Sequence, residues 1–257
     1  AVKLGIPVAH VEAGLRSYNA DMPEEINRIL TDRVSSVLFC PTETAVNNLK
    51  VEGFPFGAVR KAEQRIENVG DVMFDVALFY RDKALNTFSL ENWALRDREF
   101  ALCTIHRQEN TDNYLRLGRI LDALDLIAEK LPVFIPLHPR TRKLISKYGF
   151  EAKLKKVKVS EPLSYLQMQR LQVGAKVILT DSGGIQKEAY FHGTPCVTLR
   201  TETEWPETTE GGWNQVVDAD VSAIVSAALD NTSILKTSVQ RFGDGKAAEK
   251  IVNYLLG

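Results

Sequence analysis

The chain has no long apolar run. Nothing in it reaches the roughly 20 consecutive apolar residues of a membrane-spanning helix, and its opening, "AVKLGIPVAH", lacks the charged and apolar regions of a signal peptide. The cytoplasm is therefore the default compartment, and no membrane partner is expected. Cysteine is scarce: Cys40, Cys103 and Cys196 are odd in number and sit in apolar, strand-like runs, so they read as buried reduced thiols rather than a disulfide framework. Charge of one sign is lacking too. The 32 lysines and arginines are balanced by 33 acidic residues and are scattered, which leaves no basic stripe for nucleic acid. There is no low-complexity tract and no repeat of solenoid period.

What is present is an alternation. Short β-branched runs at 6–11, 37–40, 66–69, 100–105, 133–137, 157–159, 176–180 and 195–199 alternate with helix-period segments such as "PEEINRILTDRVSS" and "NYLRLGRILDALDLIAEKL". Strand and helix in steady succession predict α/β architecture, with parallel sheets covered on both faces. The stretch "LNTFSLENWALRD", 85–97, loses the period and is the expected boundary. Residues 99–257 suffice for a doubly wound domain, whereas 1–84 supply only about three strands, an expectation of an incomplete first domain because short open sheets need cover.

In such folds ligands bind beyond the carboxyl ends of the strands. Of the four histidines, His10, His106 and His138 fall at or near predicted strand ends, while His192 lies near a helix end and reads as a capping cation. "LTDSGGIQKEA", 179–189, runs from strand through two glycines into helix. That pattern aims backbone N–H groups at an anion, most often phosphate, although a helix whose glycines merely allow close packing fits the same letters. Glu188 lies in the second turn of that helix, within reach of a ribose or simply solvated. "HVEAGLRSYNADMPEEINR", 10–28, sets Glu12 just past a strand, then Glu24 and Glu25 in a first helical turn. Glutamates there suit the helix dipole, but a carboxylate at a strand exit is suited to proton transfer.

Taken in order and spacing, "HVEAGLR", "MPEEINR", "PTE", "IHRQEN", "LHPRT", "LTDSGGIQKEA" and "TETEWPE" resemble the motifs of the non-hydrolysing UDP-N-acetylglucosamine 2-epimerases, over essentially the whole chain. The resemblance implies two Rossmann-like, doubly wound parallel-sheet domains of glycosyltransferase-B type with a UDP-sugar substrate between them. It places 1–84 as the C-terminal part of the first domain, 85–98 as linker and 99–257 as the UDP-binding domain, whose last helices pack back on the first. The family's N-terminal glycine-rich loop and its "HGD"-type aspartate have no counterpart in these residues, so no turnover is expected of them alone.

The implied reaction inverts C2 of UDP-N-acetylglucosamine to give UDP-N-acetylmannosamine, by elimination and re-addition of UDP through a glycal. It requires no metal and no redox cofactor. Glu12, Glu24 and His106 match the family's catalytic residues. Ser182 with the amides of Gly183 and Gly184 match its diphosphate binders, Glu188 its ribose ligand, and Arg200 the edge of the nucleotide site; Arg16, Arg107 and His138 complete the substrate-binding set. Uracil is expected near Met168, where family members often carry an aromatic. The family is usually dimeric. A glycosyltransferase of the same fold and a non-catalytic UDP-sugar-binding protein are the alternatives, and a diacetamido uronic acid nucleotide is an alternative substrate.

Overall fold

A computed structural model describes all residues except 21, 60–61 and 231–240. Its contacts divide the chain into two compact units, Ala1–Leu78 with Val239–Gly257, and Phe79–Ser238.

The first unit holds strands β1 (Ala9–Val11), β2 (Val37–Cys40) and β5 (Arg65–Asn68), joined by helices α1 (Pro23–Val34) and α2 (Glu43–Val51), with a short antiparallel pair β3 (Ala58–Val59) and β4 (Ala62–Glu63) ahead of β5. The sheet order is β1-β2-β5 and both pairings are parallel. Central β2 is buried from Leu38 onward, because it is flanked on both edges, whereas the burial of β1 is slight. Helix α3 (Val72–Thr87) leaves this unit, and α11 (Ala247–Leu256) returns to it. Ile251 and Tyr254 of α11 pack on Phe39 and Val69. The N-terminus of α11 has no cap of its own, and the Asp75 carboxylate accepts from the Ala247 and Ala248 amides at 3.1 and 2.7 Å instead.

The second unit is a six-stranded parallel sheet in the order β11-β10-β9-β6-β7-β8. Its strands are β6 (Ala101–Thr104), β7 (Val133–Pro136), β8 (Lys158–Ser160), β9 (Val177–Thr180), β10 (Cys196–Thr198) and β11 (Asn214–Val216). The helices are α4 (Gln108–Thr111), α5 (Tyr114–Ala128), α6 (Pro139–Tyr148), α7 (Tyr165–Gly174), α8 (Gly183–Phe191), α9 (Pro206–Thr209) and α10 (Val221–Leu229). Alternating strand residues build two cores, as period 2 requires. Cys103, Val177 and Leu179 face Leu117, Ile120, Leu121 and Leu124 of α5, whereas Leu102, Phe134 and Ile178 face Leu171 and Ala189 on the other side. Leu90 and Leu95, from the stretch read as aperiodic, belong to this second core.

From β6 the sheet order runs one way through β7 and β8, and the other way through β9, β10 and β11. The chain reverses between β6 and β9. That is the topological switch point at which open parallel sheets bind ligands.

The three cysteines are free and buried, as expected, and burial pushes the thiols of Cys40 and Cys196 up to about 12. His192 corrects an expectation. It is not a capping cation but a buried side chain whose Nε2 lies 2.7 Å from Gln169 Oε1, with its pKa pushed down to about 4 by burial and then by Arg81 and Arg98. The unfolded chain takes up this proton near pH 6.5 and the folded unit resists until about pH 4, so folding is weakened as pH falls through that window. His192→Gln should remove up to about 3 kcal/mol of this acid sensitivity, read from urea titrations at pH 7 and pH 4.5.

Candidate active site

At the switch point two strand exits are fastened together. Thr104 and Thr180 share a 2.7 Å hydrogen bond between hydroxyls at the ends of β6 and β9. One residue further on, the fully buried Asp181 carboxylate accepts from the His106 amide at 3.1 Å, the Arg107 amide at 3.0 Å and the Asn110 side chain at 3.2 Å. Asn110 also donates to the Leu199 carbonyl at 2.9 Å, which ties in the exit of β10. His106 is thereby held at the mouth of β6 with its ring 45% exposed and Nδ1 3.4 Å from Asp181.

Beyond Asp181, Ser182 is the N-cap of α8, yet its hydroxyl does not cap the helix; its own amide donates to Thr180 Oγ1 at 3.0 Å. Ser182 Oγ thus does not compete for the first-turn N–H groups of α8, the kind of helix N-terminus that can take an anion. A side chain at Gly183 would be tightly packed. A Cβ there would stand 3.3 Å from Trp205 Nε1 and 3.5 Å from Glu204 Oε2. Close packing, one of the two explanations the sequence allows for the glycines, is therefore present at Gly183.

Glu188 is buried on α8, where Gln172 donates to it at 2.7 Å and the Tyr165 hydroxyl bonds to it. Burial raises its pKa above the usual carboxylate value, with those hydrogen bonds opposing the shift. His138, exposed at the exit of β7, caps α6 by accepting the Arg140 amide on Nδ1 at 3.2 Å, which leaves Nε2 as the position for the proton of the neutral ring. Arg107 is partly exposed, with Nη2 3.9 Å from Glu204.

Three further residues of the expected substrate-binding set have partners within the protein. Arg200 is buried, donating to Glu204 at 2.8 and 3.1 Å and to Glu109 at 3.0 Å. Burial works against the Glu204 charge, but Arg200 and Arg107 hold its pKa below the ordinary value. Met168 packs against the core built on Phe100 and Leu171. Arg16, in the first unit, is buried between Asp32 at 2.8 Å and Glu52 at 2.5 and 2.9 Å.

The first unit carries the glutamates. Glu12 follows β1 in the left-handed region, φ 67°, which glutamate seldom occupies. Gly14, φ 77°, has no room for a side chain, since a Cβ would fall 2.3 Å from the Ala45 carbonyl oxygen. Glu24 and Glu25 open α1 as predicted but differ in surroundings: Glu24 is exposed, whereas Glu25 is buried and accepts the Ser17 and Tyr18 amides, each at 3.0 Å. Asp32, at the far end of α1, is fully buried among His10, Gly14 and Arg16. Asp181 lies inside "LTDSGGIQKEA" and Asp32 four residues past "MPEEINR", but nothing in the letters shows how many donors each carboxylate gathers.

A sequence profile of the UDP-N-acetylglucosamine 2-epimerase family matches residues 1–256. The chain belongs to this family. It is 49% identical to a UDP-2,3-diacetamido-2,3-dideoxy-D-glucuronate 2-epimerase of Pseudomonas aeruginosa, over 99% of this chain and 69% of that one. Among solved structures, it is similar to the Methanocaldococcus jannaschii UDP-GlcNAc 2-epimerase in complex with UDP-GlcNAc and UDP, at 40% identity and TM-score 0.86, covering all of this chain and 70% of that one. The Neisseria meningitidis UDP-GlcNAc 2-epimerase bound to UDP-GlcNAc follows at 30% identity and TM-score 0.81, over 100% and 71%. Membership in the epimerase family agrees with the two parallel α/β units described above.

Asp181→Ala would strip the carboxylate from three N–H donors at once. Each unpaired buried donor costs about 1–3 kcal/mol, so the second unit should lose at least about 3 kcal/mol of stability, measurable by denaturant unfolding.

Proposed function

We propose that the protein interconverts UDP-N-acetylglucosamine and UDP-N-acetylmannosamine by inverting C2, through elimination and re-addition of UDP. The observation that carries this reading is the switch point between β6 and β9, where an α8 N-terminus with no side-chain cap and His106 meet at one pair of strand exits, in a chain of the 2-epimerase family. Ser182 with the amides of Gly183 and Gly184 holds the diphosphate, aided by the charge of Arg107, and Glu188 takes the ribose hydroxyls. His138 stands at the neighbouring exit as a further donor. Arg200, held by Glu204 and Glu109, and Met168, packed on the core, flank these groups in the second unit, while Arg16 holds Asp32 and Glu52 in the first.

The chemistry follows from the bonds that must change. The C2 proton passes to a carboxylate, its electron pair becomes the C1=C2 bond, and the C1–O bond breaks with both electrons leaving on UDP. Re-addition of UDP to C1, with a proton delivered to the opposite face of C2, completes the inversion. Glu12 and Glu24 are the acid–base pair, while His106 and the α8 dipole stabilise the departing diphosphate. A glycosyltransferase would need the nucleotide site but no acid–base pair for C2, and a binding protein would need neither glutamate.

One observation favours a second substrate. The 49% identical relative is named for the 2,3-diacetamido-glucuronate nucleotide, so that sugar, reacting by the same steps at C2, is to be assayed beside UDP-N-acetylglucosamine.

In heavy water, every epimerised product should carry deuterium at C2, with free UDP and glycal leaking slowly, as followed by NMR. Retention of the original hydrogen would rule out elimination. Glu12→Gln and Glu24→Gln should each lower turnover about a hundredfold or more with little change in UDP affinity. Near-normal turnover in both would make the carboxylates structural.

Nucleotide binding is tested separately. Glu188→Ala should weaken UDP by about 1–3 kcal/mol in calorimetry, the range for leaving hydrogen-bonding partners unmatched. Unchanged affinity would remove Glu188 from the ribose site.

A further inference from the structure

The buried Asp32 has no role in the reading above, and its partners bracket Glu12. Its Oδ1 lies 2.6 Å from His10 Nδ1, two residues before Glu12. Its Oδ2 accepts the Gly14 amide at 3.2 Å, two residues after Glu12, and Arg16 at 2.8 Å. A carboxylate only accepts, so His10 must present its proton at Nδ1. Arg16 is in turn held by both oxygens of Glu52, and Asn48 donates to the Gly14 carbonyl at 3.0 Å. The Ala13 amide donates to the Phe39 carbonyl at 3.0 Å.

Glu12 thus sits on a span whose every neighbour is fastened, at φ 67°, a conformation that costs a non-glycine residue roughly 1–2 kcal/mol. Backbone strain of this kind persists only where the surroundings over-determine it, and it gathers at functional sites. Much of the over-determination here traces to one carboxylate. Asp32 is fully buried with three donors upon it, so it is anchored to the helix rather than to the loop it holds.

We propose that Asp32 is a positioning residue for the reaction: by gripping His10 and Gly14 on either side, it fixes the left-handed backbone from which the Glu12 carboxylate is presented. This rests on the reading of Glu12 as an acid–base group. His10 acts with Asp32 as the side-chain half of the grip, and Gly14 as the backbone half.

The test is steady-state kinetics on the complete, turnover-competent protein carrying Asp32→Asn, at a temperature where circular dichroism shows it folded. The variant keeps the shape but turns a pure acceptor into a group that also donates. The expected result is a fall in kcat of about tenfold to a hundredfold with KM and UDP affinity within about twofold. A purely structural aspartate would lower the unfolding midpoint and leave kcat per folded molecule unchanged, and that outcome overturns the proposal. Should Asp32→Asn not fold, the His10 pair decides. His10→Met, which lacks a donor, should lower kcat at constant KM, and His10→Asn, whose amide replaces the Nδ1 donor, should recover most of it. Equal loss in both, or no loss in either, overturns the proposal. Failure of the underlying reading looks different: Glu12→Gln itself would then keep its turnover.

Discussion

A parallel strand that ends at a crevice leaves backbone N–H groups with nothing to bond, and a buried donor must find an acceptor. Asp181 answers that need at the switch point by accepting from His106, Arg107 and Asn110 with one carboxylate. The turn after β6 and the turn after β9 become a single rigid piece. Whatever His106 and Ser182 do, they do it from fixed positions relative to each other, because both are anchored to buried central strands. In the first unit Asp32 and Glu25 play the same part, both reaching from α1. They are seven residues apart, hence on one helix face, and between them they hold residues 10 to 18.

Electrostatics at the second unit's site follow from what its charges already face. Arg200 lies against Glu204 and Glu109, so most of its charge is met within the protein. Glu204 also comes close to Gly183, which sets a carboxylate beside the positive end of α8 and weakens any long-range pull on an anion. Attraction of an anion to this turn would then rest on short, directed N–H contacts and on the partly exposed Arg107, rather than on a broad positive field. The glycines leave the backbone of this turn uncovered, with Trp205 close beside Gly183.

Pattern made the alternation of elements legible. Strand β2 occupies the expected 37–40, and the other predicted strands differ by a residue or two, except that β1 is shorter than the run at 6–11 because Ile6 and Pro7 are exposed and outside the ladder. Strand β11 went unseen: "NQV" carries polar residues in two of three positions, and only pairing with β10 makes it a strand. Side-chain partnership was the harder part. An arginine in a motif looks the same in sequence whether it faces ligand or carboxylate, and Arg16 and Arg200 proved to be surrounded by acids whose positions in the chain gave no warning. Asp181 read as a turn residue because its donors lie 71 to 75 residues away. His192 read as a cation because helix ends favour one, but burial against α7 outweighed the dipole.

The loop from Glu12 to Tyr18 concentrates backbone strain. Glu12, Gly14 and Tyr18 all adopt positive φ, yet only the glycine does so without steric penalty. A fold selected for stability alone would carry glycine or asparagine at the other two positions. Glutamate at residue 12 costs the backbone roughly 1–2 kcal/mol that the surrounding contacts must offset. The compensation is local. The hydrogen bonds to Asp32 and Glu25 stabilise the loop by about 1.5–3 kcal/mol each where a charged acceptor is involved, enough to hold the strained backbone in one geometry.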